Sequence, residues 1–401
     1  MPQPVLIVGA GPAGACLALM LAERGLSVIL IDAARDLGRR FRGEALMPSG
    51  LAALDQIGLT PLLQTLPGRP LSGWSFRING QDLFRVDEPM GSDRPCRLIS
   101  QPALLEAVIA RARGCQGFRW LPGQSALGLA IENGRVAGVK LADGRTLAAS
   151  LVIAADGRSS LLRAKAGLLL EQHHSPIDLL WFRLPAHPRF EADNLFRVQL
   201  GAGGGFSVFH GTAAGELQLG WLLSAGARVE QSGAAWADAF ARLSPDWLAE
   251  HFRDQAAAIS APQRLSVRVG LAPNWHRDGL LLLGDAAHPM SPIRAQGLNM
   301  ALRDAVVAAN HLVPLLLHSR ATPQALNLAC AAIQAEREPE IRHAQALQRD
   351  EARQGELLAR SPQLRRLVAG LSPWIGPAIK RAWMARQRPL RDGLSPIRLR
   401  V

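Results

Sequence analysis

Apolar positions change their period along the chain, and the changes mark out its elements. Residues 5–8 form a short apolar run rich in branched side chains. A glycine cluster follows, residues 15–24 repeat at helical spacing, and residues 27–31 are apolar again. That pattern predicts a βαβ unit beginning near residue 4. From 71 to 97 the chain turns polar and strand-like around residues 74–78, and helical spacing resumes at Gln101–Arg113. Between 179 and about 269, apolar alternation recurs at 195–200, 206–209 and 217–223 with glycines between, which predicts a second, sheet-rich region. Residues 279–283 predict another strand and 299–317 a long helix, and the remainder reads as helix with Pro and Gly breaks.

Composition narrows the class. With 401 residues, 48% of them hydrophobic, the chain can bury a large core and is long enough for two domains. Its apolar runs stop well short of the roughly 20 residues of a membrane span, and the N-terminus lacks the basic segment of a secretory signal, so a soluble, unexported protein is expected. Cys16, Cys96, Cys115 and Cys330 have no metal-ligand or C-x-x-C spacing; they predict small buried hydrophobes in a reducing, cytoplasmic setting, and no metal site.

The formal net charge is +12, and residues 357–401 hold ten Lys or Arg against one acid, so nine of those charges sit in the tail. Its aromatic residues are sparse and not interleaved with the charges, which argues against nucleic-acid binding. The tail reads as a solvated basic helix face or, alternatively, as a peripheral contact with an anionic membrane surface, which would suit a lipophilic substrate.

Chemistry enters at the first turn. Gly9, Gly11 and Gly14 give G-x-G-x-x-G between a predicted strand and helix, with Ala13 in the same turn, where backbone amides can approach a pyrophosphate. Eighteen residues past Gly14, at the end of the second strand, Asp32 can accept a hydrogen bond from an adenosine ribose. Together these predict a dinucleotide site.

Two further segments select the dinucleotide. Residues 284–299 read Gly-Asp-Ala-Ala-His-Pro-Met-Ser-Pro-Ile-Arg-Ala-Gln-Gly-Leu-Asn, and residues 156–163 read Asp-Gly-Arg-Ser-Ser-Leu-Leu-Arg. With the glycine turn, these resemble the motifs of the FAD-dependent aromatic hydroxylases, the single-component flavin monooxygenases similar to p-hydroxybenzoate hydroxylase. The resemblance implies an α/β fold: a Rossmann-like FAD domain from residues 1–70, 98–175 and 270–340, and an inserted α+β substrate domain, mostly antiparallel, from 71–97 and 176–269. A basic helical segment, 341–401, follows.

The resemblance also implies roles. Asp285 would accept from a ribityl hydroxyl, and Gly297, Leu298 and Asn299 would open a helix whose N-terminal amides face the flavin pyrimidine edge. Arg42 and Gln101 match residues that contact the cofactor's middle, and Asp156 stabilises its motif and faces the approach of NAD(P)H. His288 belongs to the motif and is not expected to be catalytic. Arg294 stands where the family usually has Gly; it is expected beside the flavin, placing positive charge near the pyrimidine edge or an anionic substrate.

The implied reaction uses noncovalent FAD, NADH or NADPH, and O2 to hydroxylate an aromatic or other electron-rich small molecule through a flavin hydroperoxide. Alternatives on the same scaffold are a flavin oxidase or dehydrogenase, or a flavin-containing protein that sequesters a ligand without turnover. Trp181, Arg183, Phe209, Trp221 and Pro292 are candidates for the substrate pocket. The chain has no Tyr, so His210 or water is expected to take a phenolic proton. A monomer or homodimer is expected.

Overall fold

The computed structural model describes residues 3–38, 44–91, 94–173, 175, 177–318 and 321–401. Strand β1 (Val5–Val8) is buried at every position, as a strand of a parallel sheet covered on both faces must be. Helix α1 (Pro12–Glu23) follows, then β2 (Val28–Asp32). The sheet order is His276–Arg277, Leu280–Leu282, Leu151–Ala154, β1, β2 and Phe118–Pro122, parallel except for the first strand. Residues Ala13 to Ala22 of α1 are all buried, because the helix lies between its strands and the helix Gln296–Leu317. Its apolar residues surround the axis, as a buried helix requires.

A second sheet has seven strands in the order Gln263–Leu265, Ile177–Pro185, Glu216–Ser224, Gly204–His210, Leu195–Gly201, Gly73–Ile78 and Gln81–Asp87. Residues from 71–97 and from 176–269 therefore share one sheet. The seam is parallel, with Leu195 beside Gly73; every other pairing is antiparallel. One face is covered by the helices Gly233–Ala241 and Asp246–Asp254, around Phe182, Phe206, Trp236, Phe240 and Phe252. The opposite face carries Trp74, Trp181, Phe196 and Phe209 and packs on Ala45, Met47 and Leu98, which belong to the FAD-motif half or border it.

The boundary expected between 340 and 341 falls inside one continuous helix, Pro323–Arg360. Arg337 and Glu340 on that helix are buried against Asp304 and Arg303, so packing carries it through the expected break. The next helix, Pro362–Asp392, lies along Gln81–Asp87. Arg391 joins Glu88 there through two N–O contacts of 2.6 Å, so part of the basic tail is buried and paired. Residues 393–401 then return to the first half, where Leu399 N donates to Gln56 Oε1 at 2.6 Å and Arg400 N to Asn310 Oδ1 at 2.7 Å.

Among the described residues one helical stretch, Ile293–Leu317, is long and apolar enough to cross a membrane by length and composition alone, and 67% of its most apolar window is buried inside the protein. The four cysteines are unpaired thiols, three of them buried.

Candidate active site

The glycine turn is shaped by close packing at both ends and is open in the middle. Gly9 has φ +106, and a Cβ there would stand 2.2 Å from Ala155 O. A Cβ on Gly14 would stand 2.0 Å from Gly9 O, whereas one on Gly11 would meet nothing within 4 Å. Gly11 is the N-cap of helix α1 and offers no side-chain cap, leaving the amides near Ala13 and Gly14 facing that space. Asp32 is buried at the rim; its Oδ2 accepts from Ala10 N at 2.8 Å and its Oδ1 from Ala34 N at 2.9 Å, holding the turn to the end of β2. Uncapped amides, an open Gly11 face and a carboxylate beside them fit an FAD pyrophosphate and ribose.

The later motifs converge nearby. Asp285 lies in a short turn, Gly284–Ala286, with its Oδ1 3.7 Å from where a Cβ on Gly297 would stand. Gly297 and Leu298 occupy the first turn of Gln296–Leu317, again without a side-chain cap. Asn299 is fully buried and faces the backbone: Oδ1 accepts from Met47 N at 2.8 Å, and Nδ2 donates to Ala45 O at 3.2 Å and Ala295 O at 2.8 Å. Its place in the motif is that of a staple. Asp156 is likewise engaged locally, accepting from Ser160 Oγ at 2.5 Å and Leu162 N at 3.1 Å, which caps the short helix Leu161–Lys165. Gln101 is buried at the start of Gln101–Arg113. Arg42 lies outside the described residues.

His288 sits in a buried ionic network. Its Nε2 is 2.6 Å from Asp304 Oδ2, and Arg337 Nε donates to Asp304 Oδ1 at 2.7 Å. Burial opposes the charge on Asp304, but His288 and Arg337 outweigh it and bring its pKa down to about 2. Among the described residues no three His, Cys, Asp or Glu side chains gather as metal ligands.

Side-chain alternation sorts the pocket candidates onto two faces. Trp181, Arg183 and Phe209 share the face turned toward Ala45 and Met47, with the Trp181 and Phe209 ring centres 6.0 Å apart and Phe209 stacked on Phe196 at 5.0 Å. Trp221 does not join them. It belongs to the core under the two helices, its ring centre 5.4 Å from Trp236, because its strand position has the opposite parity. His210, by the same parity, is on that side as well: it is fully buried, with Nε2 2.6 Å from Glu191 Oε1 and Nδ1 2.8 Å from Gly211 O.

Arg294 has protein partners of its own. Its backbone takes the left-handed conformation that a glycine would adopt freely, φ +63, and Ala295 follows at φ +50. The side chain turns to Glu351 and stands 4.6 Å from the Trp383 ring centre and 5.5 Å from that of Phe76. Its charge is thereby neutralised by a carboxylate and enclosed by aromatics. Pro292, partly buried, starts the turn that leads to it.

Glu44 was not singled out by the sequence, which offers no local sign of where its side chain goes. It leaves the FAD-motif half and reaches the second sheet, where its Oε1 accepts from Thr212 Oγ1 at 3.2 Å and its Oε2 from Gln218 Nε2 at 3.2 Å. Burial pushes its carboxyl up to about 7, against the opposing hydrogen bonds from Thr212 and Gln218 and the charge of Arg183.

Comparison with known proteins agrees with this geometry. Residues 3–336 match the family model described as "FAD binding domain". The chain is 35% identical over 317 residues to a 6-methylpretetramide 4-monooxygenase of Streptomyces rimosus, covering 76% of this chain and 73% of that protein. It is 32% identical over 341 residues to the ubiquinone hydroxylase UbiL of Rhodospirillum rubrum, covering 77% and 72%. Among solved structures, PqsL of Pseudomonas aeruginosa in complex with 2-aminobenzoylacetate superposes with a TM-score of 0.77 at 23% identity over 92% of this chain and 99% of that one, which speaks for the fold. The chain belongs to the FAD-dependent aromatic hydroxylase family and is a monooxygenase that draws electrons from NAD(P)H and oxygen from O2.

Proposed function

We propose that the substrate is a flat, largely apolar aromatic or enolic compound bearing a hydroxyl, held between the FAD half and the sheet face that carries Trp181, Arg183 and Phe209. The observation that carries this reading is one row of the sheet. Gln218 pairs with Arg183 on one side and Phe209 on the other, so a cation, an amide and an aromatic ring stand side by side facing Glu44. Apolar neighbours of that row exclude water, and Arg183 favours an anionic oxygen on the ring. In this reading residues 71–97 and 176–269 form the substrate domain, the rest up to about 340 the FAD domain.

FAD, when bound, supplies the activation and transfer of oxygen. The amides at Ala13 and Gly14 and the Asp32 carboxylate hold its adenosine diphosphate part, with Gly9 and Gly11 shaping the turn. Asp285 and Gln101 would hold its middle, and the amides near Gly297 and Leu298 would favour negative charge on its pyrimidine edge. Asn299 and Asp156 position those groups through the backbone bonds described above, and Arg42 is assigned to the cofactor's middle by resemblance. The test is NADH and NADPH oxidation with a panel of phenols, quinone precursors and polycyclic aromatics, followed by product masses. Oxygen-containing product from hydroxylated aromatics supports the reading; NAD(P)H consumed wholly to peroxide with the entire panel rejects it.

A second reading concerns location. On the helix Pro362–Asp392, Leu367, Leu371 and Trp374 are 58%, 42% and 83% exposed at spacings of four and three residues, which puts them on one face. Exposed Arg366, Arg381, Arg386 and Arg388 lie on the same helix. An apolar stripe with flanking cations fits peripheral contact with an anionic bilayer.

A further inference from the structure

We propose that Glu44 is a catalytic residue of this monooxygenase, accepting the hydroxyl proton of a phenolic or enolic substrate. This rests on the substrate reading above and adds the group that activates the ring.

The backbone around Glu44 is fixed to the FAD half. Glu44 O accepts from Ile99 N at 2.9 Å, and Asn299 clamps the backbone of Ala45 and Met47. Its side chain meets the second sheet at Gln218, in the row flanked by Arg183 and Phe209. A hydroxyl lying over Phe209 and drawn toward Arg183 would thus approach the Glu44 carboxyl. Among the described residues, the charged groups facing it are Arg183 and, through Arg183 at 3.6 Å, Glu216. His210 and Glu191 hydrogen-bond to each other away from that row, so neither competes for the proton. No tyrosine exists to relay it.

The chemistry balances without a co-reactant. The substrate O–H bond breaks, an H–O bond forms on Glu44, and the electron pair stays on the substrate oxygen, where it enriches the ring carbon that receives oxygen. The proton later leaves to water. A phenol resembling the tyrosine side chain has a pKa of about 10, far above an ordinary carboxyl near 4.3. Burial, by bringing Glu44 up to about 7, makes it a much stronger base than an exposed carboxylate.

The experiment uses the FAD-loaded enzyme and two probes: 4-methylphenol, a weak acid, and 4-nitrophenol, acidic enough to enter as its anion at alkaline pH. With the wild type and 4-methylphenol, kcat/KM should rise with pH through an apparent pKa near 7. Glu44→Gln should lower kcat/KM for 4-methylphenol roughly a hundredfold and remove that limb, a loss within the range of general-base catalysis. Activity toward the nitrophenolate anion should stay within about threefold, Glu44→Asp should restore part of the limb, and FAD content should not change. Equal losses on both probes would show a structural role and overturn the proposal, as would an unchanged rate and limb in Glu44→Gln. If neither phenol binds to or reacts with the wild type, the substrate reading falls, and the role of Glu44 falls with it.

Discussion

Arg294 and Glu351 form a side-by-side ion pair beneath the FAD-motif loop: Arg294 Nε donates to Glu351 Oε2 at 2.9 Å, and Nη2 donates to Oε1. The pair ties a left-handed residue of that loop to the helix Pro323–Arg360, while Trp383 places the helix Pro362–Asp392 against the same guanidinium. Arg294→Met keeps the strained backbone and loses the pair, so it should cost about 1–2 kcal/mol. Arg294→Gly loses the same contacts but relieves the strain, and should fall closer to the wild type by about 1 kcal/mol. Urea unfolding midpoints check this; equal losses in the two variants would show that the positive φ stores nothing.

Gly11 and Gly14 should separate binding from folding. Gly14→Ala drives a Cβ to 2.0 Å from Gly9 O, so far-ultraviolet circular dichroism should report loss of folded protein. Gly11→Val points into open space and should leave the spectrum intact while flavin content falls at least tenfold, because the branched side chain occupies the pyrophosphate approach. Retained flavin in Gly11→Val would remove this turn from the cofactor site.

Asp304 is fully buried between His288 and Arg337. Arg337→Met leaves its charge underpaired and should destabilise the fold by about 3–5 kcal/mol. Asp304→Asn with Arg337→Met should recover part of the loss, and thermal unfolding of the single and double variants measures the coupling. Strict additivity would mean that the network contributes no pairwise energy.

Two carboxyls should pull the pH dependence of stability in opposite directions. The folded pKa of Asp304, about 2, lies below its unfolded value, so its contribution is present above that unfolded value and is lost as pH falls toward 2. Glu44 is raised to about 7, so its contribution is present below its unfolded value of about 4.3 and is lost as pH rises through 7. Glu44→Gln stays neutral. Its stability relative to the wild type should therefore increase between pH 4 and 8 by about 1–3 kcal/mol, as chemical denaturation would show. A constant difference across that range would contradict the raised pKa.

Trp374→Glu places a charge in the exposed stripe of the helix Pro362–Asp392 without touching a buried contact. Flotation with anionic vesicles should fall several-fold while activity on a water-soluble phenol is unchanged. Equal recovery of the wild type with neutral and with anionic vesicles would reject the membrane contact.

The glycine turn, Asp32 and the two later motifs were legible because each depends on residues close together in sequence. A strand, a turn with φ +106 and a helix start need particular residue types in a particular order. The βαβ period was legible for the same reason. The partners of Arg294 were not. The resemblance said that a glycine is usual at that position, but Glu351, Phe76 and Trp383 come from three distant segments. The continuity of the helix Pro323–Arg360 was not legible either: local composition gave no sign that Arg337 and Glu340 would be buried against Arg303 and Asp304.

The sequence by itself determined the dinucleotide turn, the strand and helix order around it and the absence of a tyrosine relay, since steric limits and residue supply act locally, and the resemblance of its motifs named FAD. Only the tertiary structure decided which face of the seven-stranded sheet meets the FAD half. Alternate positions along a strand point in opposite directions, so Trp181 and Phe209 fall on the face toward Ala45 and Met47 and Trp221 on the other. Which set turns inward depends on where the helices Gly233–Ala241 and Asp246–Asp254 dock. The same docking closes His210 away and leaves Gln218 facing Glu44, a pairing across 174 residues that no local pattern encodes.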